Sequence, residues 1–137
     1  MTLYVDENLP RTIVEGFNIL HEPQAFKTGH HLVLKYIPDE FGSGCKDPKW
    51  LPKLDPEACV LTVDRHIQKN ASERELYQVN EVGMFFLRGK SYKQSMLYWE
   101  MVAGLANHWP AICRIACTEQ RPFAYQVPIT GSRLKRI

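Results

Sequence analysis

Two strand-like runs in the sequence each end in an aspartate. The run LYV is followed directly by Asp6 and Glu7, and the run VLTV is followed by Asp64. If both strands lie parallel in one sheet, their aspartates fall at its carboxyl edge, where open α/β sheets bind ligands. Asp47 precedes a proline at the predicted start of a short helix, and we expect it to reach the same edge.

These acids could bind a divalent metal ion. Carboxylates that converge in a cleft cannot all stay ionised without a cation between them. Mg²⁺ and Mn²⁺ prefer oxygen ligands, and a cluster of this kind can polarise a phosphodiester and activate a water molecule. We therefore interpret Asp6, Asp47 and Asp64 as candidate metal ligands. Each acid alone also fits a structural role, as a helix cap for Asp6 and Asp47 and as a turn residue for Asp64.

Alternating strands and helices must position these acids, and the alternation predicts an α/β fold with a mostly parallel sheet and a C-terminal strand pair. The segment His21–Gly29 is predicted to be irregular, and Pro110 is predicted to end a helix. The predicted strands are 2–5, His30–Ile37, Ala58–Val63, Gly83–Leu87, Ala111–Cys117 and Phe123–Ile129. The predicted helices are Pro10–Leu20, a short helix from Asp47, Ile67–Val79 and Ser91–His108.

Length and composition are ordinary for one soluble domain. The chain has 137 residues, 45% of them hydrophobic and 23% charged, and its net charge of +2 does not by itself indicate a nucleic-acid binder. No signal peptide and no membrane span are expected, because no apolar run approaches the roughly 20 residues that a span needs. The four cysteines form no CxxC pair, so we expect reduced thiols in a cytoplasmic protein.

Three short motifs follow one another in the first ninety residues. They are DENLP from Asp6, DPKWL from Asp47, and LTVD ending at Asp64. In this order and strand context they resemble the PIN-like proteins, which include the VapC-type toxin ribonucleases. The resemblance is closest to a small branch with the pattern D-x-N-L-P, D-x-x-W-L and L-T-x-D. Beyond Arg88 the chain matches the family more loosely.

The resemblance implies a three-layer α/β/α sandwich in which the whole chain forms one PIN-like domain. It also implies an endoribonuclease that uses Mg²⁺ or Mn²⁺, held in an acidic pocket by Asp6, Asp47 and Asp64. Glu7 matches a branch of the family in which the first acid is doubled, and Asn8 matches an amide that orients the pocket loop. The implied partners are an RNA substrate, a cognate antitoxin that covers the pocket, and a second copy in a homodimer.

One position departs from the family pattern. Many relatives carry another aspartate two residues after the one that matches Asp64, and this chain has His66 there. His66 could ligate manganese or shuttle a proton near neutral pH, or it could face solvent at a helix start. Arg65 could contact a scissile phosphate, because its planar fork matches phosphate oxygens, or it could pair with Asp6 or Glu7. Both residues are included among the candidate catalytic residues.

Other functions also fit this pattern of residues. The missing fourth acid favours a non-catalytic PIN-like module that only binds protein or RNA. A phosphatase or a DNA nuclease could use a similar sheet edge. A receiver-like domain would need a lysine near a Ser or Thr after a late strand, and Lys90 matches this requirement poorly.

Aromatic and basic residues near the predicted edge are candidates for RNA contacts. Trp50 and Tyr92 could stack on bases, although Trp50 fits better as a packing residue of its short helix. We assign Trp99 and Trp109 to the core or to a dimer interface. The basic residues predicted near the edge are Lys46, Lys49, Arg88 and Lys90.

Overall fold

A computed structural model describes residues 1–44, 47–63, 71–89, 96–131 and 133–137, and of residues 47, 48 and 73 it describes the backbone alone. Strands and helices alternate along these residues. The strands are β1 (Thr2–Val5), β2 (Val33–Tyr36), β3 (Cys59–Thr62), β4 (Gly83–Arg88), β5 (Phe123–Pro128) and β6 (Lys135–Arg136). The helices are α1 (Arg11–Thr28), α2 (Ile37–Phe41), α3 (Asp47–Trp50), α4 (Ala71–Val79) and α5 (Tyr98–Thr118), with a 3-10 turn at Leu51–Lys53.

The strands form one sheet in the order β2-β1-β3-β4-β5-β6. Strands β1 to β5 are parallel, and β6 pairs antiparallel with β5, which confirms the predicted α/β fold with a mostly parallel sheet. The predicted C-terminal pair joined Ala111–Cys117 to Phe123–Ile129, and only the second of these segments forms a strand, β5. The chain runs from β1 outward to β2 and then returns past β1 to β3. This reversal makes the β1/β3 junction the switch point of the sheet, where α/β folds of this strand order bind ligands.

Helices cover both faces of the sheet, as a three-layer sandwich requires. On one face, α1 and α5 pack against strand residues such as Leu3, Leu61 and Phe85, which are fully buried. On the other face, α3, the 3-10 turn and α4 pack against the alternate strand residues, among them Tyr4 and Val60. The near-continuous apolar sequence of β3 and β4 is typical of parallel strands that are buried on both sides.

The last two crossover connections have opposite hands. The steps from β3 to β4 and from β4 to β5 run in the same direction along the sheet. However, α4 contributes Tyr77 to one core, whereas α5 contributes Leu105 and Ile112 to the core on the opposite face. Parallel crossovers are right-handed in about 98% of cases, so one of these two connections is of the rare hand.

The side chain of Asn18 covers the outer edge of β2. Its Nδ2 donates to the carbonyl oxygen of Leu34 at 2.9 Å, and its Oδ1 accepts from the Leu34 N–H at 2.9 Å. Along a strand, successive residues direct their main-chain groups to opposite sides. The Val33 N–H donates to the Met1 carbonyl oxygen on the side of β1, so Leu34, the next residue, directs its main-chain groups to the outer side. The amide of Asn18 therefore occupies the position of a further strand and satisfies an exposed sheet edge.

The first helix is longer than the sequence predicted. The segment His21–Gly29, predicted to be irregular, continues α1 to Thr28 in spite of Pro23. Burial of His21 and Ala25 stabilises this extension, with His21 in contact with Trp109 of α5, and the helix ends at Gly29 with a φ of 77°. That left-handed conformation is one that glycine adopts without steric cost.

The prediction of a strand at Ala111–Cys117 is wrong, and so is the prediction that Pro110 ends a helix. Both segments lie inside α5, which runs for 21 residues. A proline in a helix interior costs about 3 kcal/mol. Burial of a large apolar side chain contributes roughly 1.5–3 kcal/mol, and the residues beyond Pro110 bury Ile112 and Ile115. The packing term therefore exceeds the cost of the proline.

The cysteines within the described residues are free thiols, in agreement with the predicted reduced state. Burial raises the pKa of Cys59 to about 11 and that of Cys113 to about 12, so both thiols are protonated near neutral pH. Cys117 is half-buried, and burial also raises its pKa. Cys45 lies outside the described residues.

Candidate active site at the carboxyl edge of the sheet

The turn that follows β1 brings Asp6 to the switch point. The Asp6 N–H donates to the carbonyl oxygen of Leu61 in β3 at 3.1 Å, so the β1/β3 pairing extends to this residue. The Leu9 N–H then donates to the Asp6 carbonyl oxygen at 3.1 Å and closes a tight turn. Leu9 is 1% exposed and anchors the turn in the core, while Asp6 is half-buried at the surface of the edge.

Donors from three described residues orient the carboxylate of Asp6. The Glu7 N–H donates to Oδ1 at 2.7 Å, the Asn8 Nδ2 donates to Oδ2 at 3.2 Å, and the Thr62 Oγ1 donates to Oδ2 at 2.8 Å. Thr62 is the last residue of β3 and is 1% exposed, so this contact joins the ends of the two central strands. Hydrogen bonds to a carboxylate are charge-assisted, and they hold Asp6 in one orientation.

Glu7 connects this turn to the loop before α3. Its Oε2 accepts a hydrogen bond from the N–H of Gly44 at 3.2 Å. Asp47 is the first residue of α3, three positions further along the chain. In the described residues, Glu7 therefore positions the segment that leads to Asp47. The sequence had suggested only a second acid at this position.

Tyr36, at the end of β2, supports the same turn. Its hydroxyl hydrogen is shared between the carbonyl oxygens of Leu9, at 2.8 Å, and of Glu7, at 3.2 Å. Burial raises the pKa of Tyr36, and the nearby Arg11 lowers it in part. The neutral hydroxyl is therefore the form that donates these bonds, and it ties the strand β2 to the site.

The structure describes the other predicted site residues only in part. The backbone of Asp47 begins α3, which Trp50 and Leu51 anchor by complete burial, but its side chain lies outside the described residues. Asp64, with its neighbours Arg65 and His66, lies outside them as well. Asp64 follows the described end of β3 by two positions in sequence, so the convergence of the three aspartates stays a prediction.

The described residues contain no group of three or more His, Cys, Asp or Glu side chains that could hold a metal ion. This finding does not cover Asp47, Asp64 and His66, whose side chains lie outside that part of the chain. The donor chemistry at Asp6 fits Mg²⁺ or Mn²⁺, because carboxylate oxygens are the ligands that these hard ions prefer. Asp6 is thus the one predicted ligand whose surroundings are described.

Of the aromatic and basic residues considered for RNA contacts, some are exposed and others are buried. Trp50 is 2% exposed and packs in the core, as the sequence favoured, whereas Trp99 is 73% exposed and does not belong to the core. Arg88 is 9% exposed and lies over the ring of Phe86 at 5.2 Å, so its guanidinium is not a surface contact. Lys49 is exposed at the end of α3. Lys46, Lys90 and Tyr92 lie outside the described residues.

Sequence reasoning missed two residues that shape the site. Thr62 belongs to an apolar strand in which a threonine is ordinary, and Tyr36 ends a strand distant in sequence. The available signal for Thr62 was its place near the end of a predicted strand, two positions before a candidate acid, since alternate residues of an extended strand share one face of the sheet.

The six-stranded sheet with helices on both faces is a three-layer α/β/α sandwich. The family model of the PIN like domain matches residues 1–89, which include β1 to β4 and every predicted site residue. The chain belongs to the PIN-like domain family. The comparisons with curated proteins and with solved structures find no match. Among the described residues, no helix is both long and apolar enough to cross a membrane.

Proposed function

We propose that this protein is a metal-dependent endoribonuclease that acts as the toxin of a toxin–antitoxin pair. The observation that carries the proposal is the oriented carboxylate of Asp6 at the β1/β3 switch point, within a PIN-like domain. A domain of this family has a nuclease-type fold, and an acid fixed at the ligand-binding edge is the group that phosphodiester hydrolysis with a divalent ion needs.

The roles in the proposed site follow from position and chemistry. Asp6, Asp47 and Asp64 would hold Mg²⁺ or Mn²⁺, which when bound polarises a phosphodiester and makes a water molecule more acidic. Thr62 and Asn8 hold the Asp6 carboxylate in place through the hydrogen bonds described above. Groups that orient a metal ligand in this way tune both the affinity for the metal and the activity.

Two basic residues complete the proposal. Arg65 would contact the scissile phosphate through its planar guanidinium, which matches two phosphate oxygens. His66 would ligate the ion or carry a proton, since an imidazole changes its charge near neutral pH. These roles rest on sequence position and on the family resemblance.

The toxin role predicts a protein partner. A cognate antitoxin would cover the acidic edge, and a second copy of the chain could form a homodimer. If co-expression with the product of an adjacent small gene suppresses RNA cleavage and the two proteins co-purify, the toxin role gains support. Activity that no such partner inhibits would leave a ribonuclease without the toxin role.

The central experiment measures cleavage of a mixed RNA pool with Mg²⁺, with Mn²⁺ and with EDTA. We expect cleavage with either ion and none with EDTA. Asp6→Asn and Asp64→Asn should each lower the rate by at least about a hundredfold, because each removes a charge from the metal site. Asp55→Asn is the matched control, since Asp55 bonds to Tyr4 and Thr2 away from the edge. It should keep the parent rate.

Three outcomes separate the alternatives. Absence of metal-dependent cleavage in the parent, with RNA binding retained, would replace the nuclease by a non-catalytic binding module. Equal rates for the parent and Asp6→Asn would show that another site cleaves. Cleavage of single-stranded DNA at the rate for RNA would make the protein a general nuclease.

A further inference from the structure

Three consecutive large apolar residues are exposed where α5 begins. Leu97 is 69% exposed, Tyr98 is 38% exposed and Trp99 is 73% exposed. The rings of Tyr98 and Trp99 contact each other edge to face, with centroids 5.1 Å apart and an interplanar angle of 89°. An exposed cluster of this composition is typical of a binding surface.

This aromatic cluster, Leu97 to Trp99, lies on the same edge of the sheet as Asp6. Met96 packs against Gly89, the residue after β4, since a Cβ added at Gly89 would approach the Met96 Cγ to 2.9 Å. The Tyr98 hydroxyl and the Thr12 Oγ1 are 2.8 Å apart, and Thr12 belongs to the first turn of α1. That turn directly follows the segment from Asp6 to Pro10, so the cluster stands beside the candidate active site.

Local contacts fix the cluster before any ligand binds. The Leu97 N–H donates to the Glu100 Oε1 at 3.0 Å, which sets the start of α5. The hydrogen bond to Thr12 holds the ring of Tyr98, and that ring in turn contacts the ring of Trp99. A side chain that is already ordered loses little conformational entropy on binding, so an open indole face in this state is suited to a ligand.

The surrounding charge favours a polyanion as the ligand. The amino-terminal ends of α1 and α5 both point to this edge, and a helix amino terminus carries partial positive charge. The side chain of Arg11, 54% exposed, lies in the same first turn of α1 as Thr12 and pairs with Asp39 at 2.6 Å. A ligand that is anionic along its backbone and also presents flat aromatic surfaces satisfies both features, and single-stranded nucleic acid has this chemistry.

We propose that Trp99, supported by Tyr98, is a stacking platform for an unpaired base of a single-stranded RNA substrate next to the Asp6 site. This inference deepens the proposed function and rests on it for the identity of the substrate. Trp99 would be a positioning residue: it holds a nucleotide that flanks the cleaved bond and does not touch the reacting atoms.

The test measures binding of a fluorescein-labelled single-stranded RNA of mixed sequence by anisotropy, in EDTA so that no cleavage occurs. Trp99→Ala should weaken binding about 5- to 100-fold, because stacking on one base contributes roughly 1–3 kcal/mol. Trp99→Phe keeps a ring and should recover most of the affinity. Phe26→Ala is the matched control, since Phe26 is 81% exposed near the other end of the sheet. It should bind like the parent.

A second measurement follows the fluorescence of the protein itself. RNA should quench the emission of the parent, because Trp99 is exposed whereas Trp50 is buried. The quenching should be lost in Trp99→Phe, while anisotropy still reports binding. Quenching that is unchanged in Trp99→Phe would overturn the proposal.

The possible results distinguish a failure of the Trp99 proposal from a failure of the proposed ribonuclease activity. Trp99-dependent RNA binding in a protein that never cleaves supports the platform and removes the proposed activity. Metal-dependent cleavage together with equal binding by the parent, Trp99→Ala and Phe26→Ala overturns the platform and leaves the activity intact. A change of oligomeric state in Trp99→Ala, without a change in RNA binding, overturns the platform in favour of a protein interface.

Discussion

The two ends of the parallel sheet hold charged side chains in different ways. At the carboxyl edge, Asp6 accepts hydrogen bonds from the neighbouring groups of Glu7, Asn8 and Thr62 while it stays at the surface. At the amino edge, Arg121 donates to the carbonyl oxygens of three residues and to a thiol within the fold. These acceptors are the carbonyl oxygens of Ala58 at 3.3 Å, Glu119 at 3.2 Å and Ala116 at 2.6 Å, and the Cys59 Sγ at 3.0 Å.

Under the proposed function, this difference separates a charge that serves catalysis from one that serves the fold. The guanidinium of Arg121 joins the end of α5 to the start of β3, so its charge is used to close the fold. The carboxylate of Asp6 is oriented at a ligand-binding edge, where a charge favours a bound cation. We therefore expect changes at the carboxyl edge to lower activity with little effect on stability, and changes at the amino edge to do the reverse.

Among changes that test the difference between the two edges, Thr62→Val should have the largest effect, and it acts on the rate of RNA cleavage. This substitution keeps the shape of the side chain and removes the hydroxyl that orients Asp6 at 2.8 Å. RNA cleavage should fall on the order of 10- to 100-fold, as for other partners of metal ligands. Thr62→Ser restores the hydroxyl and should recover activity. Full cleavage by Thr62→Val would contradict the assigned role of Thr62.

Arg121→Ala should have the largest effect on stability. It leaves the carbonyl oxygens of Ala58 and Ala116 without their charged donor. Hydrogen bonds to charged groups contribute about 1.5–3 kcal/mol, so we expect the free energy of unfolding to fall on the order of 3 kcal/mol. Urea denaturation measures this change, with the exposed Arg114→Ala as a control near zero. If Arg121→Ala instead abolishes activity at full stability, the proposed division between the edges fails.

The buried thiol of Cys59, beside Arg121, should make the stability of the protein depend on pH in the alkaline range. Burial raises the pKa of Cys59 from its ordinary 9.0 to about 11, and Arg121 lowers it in part. The neutral Cys59 thiol is favoured by the folded state, and below pH 9 its contribution to the free energy of unfolding is fully present. This contribution is lost as the pH rises towards 11, because the thiol ionises at a lower pH in the unfolded chain than in the folded one. The free energy of unfolding should fall by at most about 1.4 kcal/mol per pH unit through this one group. Cys59→Ala should show a shallower alkaline decline than the parent in denaturation curves from pH 8 to 11, and Cys117→Ala should show a smaller change, because its thiol is only half-buried.

The smallest expected effect concerns Asp55, an acid with a structural role. Its pKa is lowered first by the hydrogen bond from Tyr4, then by the one from Thr2, and to a lesser degree by Lys35. The resulting stabilisation is present above the ordinary value of 3.8 and is lost as the pH falls through the lowered value. In an NMR titration, Tyr4→Phe should raise the pKa of Asp55 more than Lys35→Met does. The reverse order would contradict the assigned causes.

Local sequence was sufficient to predict that Asp6 directly follows the first strand, and to predict the order of most elements. An apolar run that ends in an acid and a proline describes a strand, a turn and a helix start within ten residues, and no distant contact is needed to recognise it. The strand at Phe123–Ile129 was predicted on the same local basis and corresponds to β5, but its antiparallel partner β6 was not predicted.

Where tertiary contacts decide the outcome, the sequence was not sufficient. Pro110 is a local stop signal, but α5 passes through it because the residues beyond it pack on the sheet. Trp99 belongs to a largely apolar helix, and only the orientation of α5 shows that its ring faces solvent. Thr62 and Tyr36 act through partners 56 and 27 residues away, which no local pattern reveals.

The amide of Asn18 has a consequence for how copies of this protein can assemble. Another chain can continue a sheet only where main-chain groups of an edge strand are accessible, and at Leu34 they are already bonded. A neighbour that joined β2 would first have to displace the side chain of a helix packed on the core. Self-association at this side of the molecule would thus have to proceed through helical surfaces, and Asn18→Ala would be the change that makes the strand available.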